Sequence, residues 1–274
     1  MWPRLSNSPI LQDFSWSPLI LESFARNAHL FGATSKSFRF LPSYVRPSSS
    51  PPTPKELHNV EPILPPTKID PIPGLLVLHI RRGDFADHCA HLANWSSDWN
   101  GFNKFATLPD KFHVPHDGEG GHATEVSMQY YFQRCFPTIE QITERVRQVL
   151  ADQKKTYGGT NELKRVYIMT NGDKAWLNDL KKALMGIRKW DSVTSSRDLR
   201  LGWEAKPVAQ AVDMLVGQRA QVFIGNGVSH LFSIAVLRVQ ILLTTVRSQF
   251  SSLTSNIVMF RMLRELAPED TRFL

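Results

Sequence analysis

The run Leu75-Leu76-Val77-Leu78-His79-Ile80-Arg81-Arg82-Gly83-Asp84-Phe85 constrains this chain more than any other stretch. Its aliphatic half shows no polar alternation, which predicts a strand buried on both faces, as in a parallel sheet covered by helices. Pro73 and Gly74 mark the predicted start. The polar half then falls at the strand's carboxyl end, where open α/β sheets bind their ligands. Two guanidiniums there suit a diphosphate, because each offers a planar fork of donors and keeps its charge. Gly83 lets the backbone turn sharply and approach a ligand closely. Two plainer readings compete. The arginines could be surface charges that end a strand, or Arg82-Gly83-Asp84 an adhesion tripeptide, although a strand end is an unusual place for one.

The rest of the chain supplies elements to build around that strand. Ser17-Pro18 followed by Leu19 to Ala25 predicts a helix capped by Ser17, with proline at its first position. Residues 42–73 hold ten of the 18 prolines and read as a linker between an N-terminal segment, 1–41, and a domain spanning 74–274. Residues 86–136 show no clear periodicity; a stretch this long beside a strand end is usually functional or disordered. Residues 138–151 predict a helix, with Thr138 and Gln141 as a capping box and Ile142, Val146 and Val149 on its apolar face.

Arg165 to Thr170 predicts a second buried strand, and Asp173 caps the helix that follows it. Thr170 and Asn171, at that strand's end, either face a ligand or simply make the turn. A short strand is expected around Val193, a helix over Lys206 to Gly217, and a last strand over Gln221 to Gly225. Alternation of this kind predicts a Rossmann-like α/β fold: a parallel sheet with right-handed crossovers and flanking helices. No Gly-x-Gly-x-x-Gly follows a strand, which speaks against an NAD site. Asp213 lies among apolar residues, where a carboxylate needs a partner or an outward course.

Charge narrows the ligand class. The net charge is +7 and the pI about 9.5, which favours an anionic partner. No basic block interleaved with aromatics and no zinc spacing occurs, so nucleic acid is not expected. The histidines between His88 and His122 match no metal-ligand spacing, and no metal is expected. Cys89 and Cys135 either form one disulfide or remain two buried thiols. No span of about 20 apolar residues predicts a membrane crossing. The first 30 residues lack a basic region followed by an apolar core, so no secretory signal is visible.

His79-Ile80-Arg81-Arg82-Gly83-Asp84-Phe85 resembles the His-x-Arg-Arg-Gly-Asp-Phe signature of the GDP-fucose protein O-fucosyltransferases and their fungal relatives. The resemblance covers residues 74–274, less an apparent insertion at 228–249, and implies the C-terminal half of a GT-B fold, which is built of two Rossmann-type domains. It implies that Arg81 contacts the β-phosphate of GDP, with His79, Arg82, Asp84 and Asn226 in the donor site. It also implies that Asp213 accepts hydrogen bonds from guanine. The reaction implied is inverting, metal-independent transfer of fucose from GDP-fucose to a Ser or Thr hydroxyl of a protein acceptor. No cofactor is implied beyond the donor substrate. Family members usually enter the secretory pathway, so the missing signal leaves localisation open and predicts an N-terminally truncated gene product.

The family pattern breaks once. Its last strand should lead into Phe-Ser-Ser-Leu-Thr-Ser-Asn at a helix start, where hydroxyls and free amides bind phosphate. Here those words appear as Phe250 to Asn256, after an apparent insertion at 228–249. Val-Ser is encodable by a splice donor and Gln by the CAG that ends an intron, so the insertion reads as a translated intron. The phosphate ligands expected are then Ser251 and Ser252; the alternative gives Ser229 and Ser233 that role in a variant loop. The family's N-terminal domain has no counterpart here. Two rival readings follow: a catalytically inactive GDP-binding fragment, or a basic domain that recognises acidic partners.

Overall fold

The computed structural model describes residues 16–32, 71–98, 112–115, 121–158, 162–226 and 258–259. Its centre is the predicted strand, β1 (Ile72–His79). Parallel to it on one side run β2 (Arg165–Met169) and then β3 (Ser192–Ser195); on the other run β4 (Ala220–Gly225) and β5 (Val258–Met259). The order β3-β2-β1-β4-β5 is that of an all-parallel α/β sheet, Rossmann-like as expected. The strand begins earlier than Pro73 and Gly74 predicted. Ile72 donates its N–H to Arg219 O, and the β1–β4 register shifts between Ile72 and Leu76. Gly74, at φ 77, absorbs that irregularity, which is why two breaker residues sit inside a strand.

β1 is buried on both faces, as its composition required. Leu75 and Val77 point to one side, where α1 (Pro18–Arg26), α2 (Ala28–Phe31) and α7 (Ala209–Gln218) supply Phe24, Phe31, Val212 and Leu215. Leu76 and Leu78 point to the other, against α5 (Ile139–Tyr157) and α6 (Lys174–Met185). Each fully buried leucine stabilises the fold by roughly 1.5–3 kcal/mol relative to exposure. Because α1 and α2 share this core, residues 18–31 pack as part of the sheet domain. Ser17 precedes α1 without a side-chain cap; its carbonyl accepts from Ile20 and Leu21 instead. Asn27, fully buried at the corner between α1 and α2, exchanges hydrogen bonds with the backbone of Arg200. Thr194 Oγ1 donates to Leu30 O and fastens the same corner to β3.

The stretch 86–136, which showed no periodicity, contains two helices. They are α3 (Phe85–Asn94) and α4 (Glu125–Cys135), joined by a Cys89–Cys135 disulfide. Helix α5 has the predicted capping box and runs past residue 151, because Asp152 to Lys155 are compatible with helix and only Gly158, in the left-handed conformation, stops it. Asp173 caps α6 by accepting from Trp176 N–H, 2.8 Å. The linker through residue 70, the insertion 228–249, and Ser251 and Ser252 lie outside the described residues. No helix among the described residues is long and apolar enough to cross a membrane.

Gly83, at φ +51, makes the turn that follows β1. A Cβ there would lie 2.8 Å from Asn171 Nδ2. Asn171 Oδ1 accepts the Arg82 N–H at 2.7 Å, so the turn is tied to the end of β2. We expect Gly83→Ala to cost about 1–2 kcal/mol from the left-handed conformation alone. A urea midpoint equal to that of the parent chain would show the turn to be unstrained.

Candidate functional site

The two arginines that look equivalent in sequence part company after β1. Arg81 turns its guanidinium, 41% exposed, toward a cavity of about 250 Å³ at the carboxyl ends of the strands. Arg82 turns the other way. Its guanidinium carbon lies 3.7 Å from the Phe136 ring centroid and 4.7 Å from that of Trp176, and its Nη1 donates to Pro137 O at 2.8 Å. Arg81 and Arg82, expected in one site, thus border different cavities: the backbone turn sends successive side chains to opposite sides, and aromatic faces hold the second one.

Five elements converge on the Arg81 cavity, among them the turn after β3 with Ser196 and β4 with Phe223. β1 gives His79 and Arg81, the end of β2 gives Thr170 and Asn171, and α7 gives Gln210 and Asp213. Asn226, just past β4 and buried, does not line it. Its side chain instead holds Arg81 by the backbone: Oδ1 accepts from Arg81 N at 3.3 Å, and Nδ2 donates to Arg81 O at 3.1 Å. Nδ2 also donates to Cys135 O at 2.9 Å. The amide, expected in the donor site, thus directs its hydrogen bonds to the backbone of Arg81 and Cys135. Asp84 stands at the start of α3 with its side chain 75% exposed, 3.6 Å from Arg81 Nη2. An ion pair that exposed contributes little to stability, and it leaves Arg81 free to engage a ligand. Phe85 packs 4.7 Å from the Arg81 guanidinium and limits its range.

Asp213 has the partner that its apolar surroundings demanded. Tyr167 Oη donates to Asp213 Oδ1 at 2.7 Å, and Ser196 bonds to it as well. A carboxylate has roughly four acceptor positions, so two remain for a ligand's N–H groups. Burial pushes the Asp213 carboxyl up to about 6, against the pull of the two hydroxyls. Burial and then the Asp213 charge push the Tyr167 phenol well above its ordinary value, so it stays a donor. Burial, assisted by the Arg81 charge, pushes His79 down to about 4, so its imidazole is neutral in the cavity wall. Sequence reasoning missed Tyr167, Ser196 and Gln210. The only signal was Asp213 itself, which announced a partner without naming it.

These two shifts oppose each other. Between pH 6.5 and about 4 the unfolded chain protonates its histidine while folded His79 resists. Stability from that group is complete above pH 6.5 and is lost as the pH falls. Asp213 holds its proton more tightly when folded, so its contribution is complete below about pH 4 and lost as the pH rises through 6. Each slope reaches about 1.4 kcal/mol per pH unit, and together they nearly cancel. We expect Asp213→Asn to leave the histidine slope exposed, so that stability falls on acidification from pH 6.5 to 4.5. His79→Gln is expected to reverse the sign. Urea unfolding at the two pH values measures both, and parallel curves for parent and variants would refute the pairing.

Among the described residues, no group of three His, Cys, Asp or Glu side chains is placed to hold a metal ion. The cavity instead combines a half-exposed cation, a neutral imidazole, two hydroxyls, two amides and a hydrogen-bonded carboxylate.

No family model matches the chain, and no curated protein matches it. Among solved structures it is similar to POFUT1 in complex with GDP-fucose, with a TM-score of 0.39 at 18% identity, covering 70% of this chain and 42% of that one. It is similar also to POFUT1 in complex with GDP, with a TM-score of 0.37 at 18% identity, covering 61% of this chain and 40% of that one. The chain thus spans well under half the length of the structures it matches. Likeness at this level is one of chain trace and carries no chemistry with it.

Proposed function

We propose that the chain binds GDP-fucose at the carboxyl ends of β1 and β2 and transfers fucose, with inversion and without a metal, to a protein Ser or Thr hydroxyl. The observation that carries this proposal is the Arg81 clamp. A guanidinium just past the carboxyl end of the central strand, fixed at its backbone N–H and C=O by one buried amide, borders a cavity. Breaking a glycosyl–phosphate bond builds negative charge on the departing β-phosphate. Arg81 stabilises that charge, each charge-assisted hydrogen bond contributing about 1.5–3 kcal/mol. Asp213, ionised near neutral pH, takes the ring and exocyclic N–H donors that guanine presents. Ser251 and Ser252 remain proposed as further phosphate donors. The resemblance of His79 to Phe85 to the O-fucosyltransferase signature supplies the sugar and the acceptor class.

The cavity, about 250 Å³, falls just under the range of roughly 300–1,000 Å³ usual for small-molecule sites. It suits the nucleoside part of the donor and leaves the sugar at the open mouth, where an acceptor hydroxyl arrives. Calorimetric titration with GDP, UDP and ATP tests the assignment. GDP is expected to bind at least about tenfold more tightly than the others, since only guanine offers paired donors to one carboxylate. Equal affinity for all three, or none for any, would overturn it. GDP binding without fucosyl transfer to any hydroxyl would reduce the chain to a nucleotide-binding module.

A further inference from the structure

Arg82 borders a second cavity, of about 550 Å³, on the far side of the β1 turn from the Arg81 site. Its walls come from α4, from the first turn of α5, and from Trp176 at the start of α6. Gln129 and Gln133, one helical turn apart on α4, present primary amides along one side. Phe132 and Phe136, spaced the same way, and Trp176 give it aromatic walls. Primary amides pair with peptide groups because each offers both a donor and an acceptor. Aromatic rings beside such amides are the usual make-up of a surface that takes polypeptide. Arg82 itself forms no ion pair among the described residues, and only Pro137 O accepts from its guanidinium. Glu140, the acid among the lining residues, has its carboxylate engaged with its own backbone N–H and with Thr138 at the helix start. The other nearby acid, Asp173, acts on Arg82 electrostatically but forms no ion pair with it, and its carboxylate accepts from Trp176 N–H, so the cation keeps room for a direct ion-pair partner.

We propose that this second cavity holds an extended polypeptide segment whose acidic side chain pairs with Arg82, and that it is the acceptor subsite. Arg81 and Arg82 are adjacent residues, so their Cα atoms lie about 3.8 Å apart. A segment anchored on Arg82 thus brings a hydroxyl within a few residues' reach of the donor mouth. The net charge of +7 favours acidic segments over neutral ones before contact is made. The inference rests on the donor-site reading for the reaction, and not for the binding.

The test uses the full chain and two fluorescein-labelled, C-amidated hexapeptides: Gly-Asp-Gly-Ser-Phe-Gly and its Asn-for-Asp counterpart. The acidic peptide is expected to bind, and the neutral one at least about tenfold more weakly. Gln133→Trp, which fills the cavity, is expected to abolish peptide binding while leaving the GDP titration unchanged. Should that variant fail to fold, Gln129→Glu at an exposed position places a like charge beside the acid and is expected to weaken the acidic peptide alone. Equal affinity for the two peptides, no binding of either, or full binding by both variants would overturn the proposal. Peptide discrimination in a chain with no GDP affinity would support this cavity while removing the donor reading. GDP affinity without discrimination would overturn this cavity's assignment and leave the donor reading standing.

Discussion

Replacing Arg81 by alanine is expected to reduce the proposed fucosyl transfer by about 10²–10³-fold, the usual cost of removing one preorganised group that stabilises developing charge. The fold should survive. The side chain is 41% exposed, and its contact with Asp84 spans 3.6 Å on the surface. The two hydrogen bonds that Asn226 makes to residue 81 involve only backbone atoms, so alanine keeps them. Loss of turnover with an unchanged melting temperature would therefore report the guanidinium alone. Arg81→Lys sharpens the result. Lysine keeps the charge but lacks the planar fork, so partial recovery would assign the effect to charge, and none would assign it to bidentate geometry. Turnover and GDP affinity equal to the parent's in Arg81→Ala would end the enzymatic reading.

Asn226→Ala should do the reverse, damaging the fold first and the site through it. The amide is 3% exposed and serves Arg81 N, Arg81 O and Cys135 O at once. Removing it deprives one buried and two part-buried backbone groups of this partner, at up to about 1–3 kcal/mol each. Because the three share one side chain, a total of about 3–5 kcal/mol is the reasonable expectation. Urea unfolding measures this directly. Asn226→Asp separates the functions: it keeps the acceptor for Arg81 N but turns an oxygen toward the carbonyls of Arg81 and Cys135, so it should be no more stable than alanine while ionised and recover stability only when the carboxyl is protonated. A loss under about 1 kcal/mol in the alanine variant would mean that water replaces the amide and that the clamp on Arg81 is loose.

The sheet was legible because β1 carries its environment in its composition. Leu75 to Leu78 cannot tolerate solvent on either face, and both faces are covered. The caps at Thr138 and Asp173 were legible for a similar reason, since local hydrogen bonding decides them. The helices α3 and α4 were not. Their buried stripes are Phe85, Cys89, Ala93 and Ser127, Tyr131, Cys135, each at i, i+4, i+8. That helical period is blurred in the sequence by apolar and aromatic residues off the stripe, such as Leu92, Val126, Met128, Tyr130 and Phe132. The divergence of Arg81 and Arg82 was hidden because rings distant in sequence, Phe136 and Trp176, decide where the second one goes. Tyr167 read as a strand residue, and only the folded sheet brings its hydroxyl to Asp213.

The N-terminal helices have a consequence for how the chain is held together. Phe24 and Phe31 are inserted into the sheet's core, and Asn27 is laced to the backbone of Arg200, so α1 and α2 are held to the sheet by contact as well as by the peptide chain that joins them to β1. The entropic cost of closing that connection grows only logarithmically with its length. A scission within it would therefore yield two fragments that behave as one molecule until a denaturant parts them. For this protein, covalent continuity and structural continuity are separate properties.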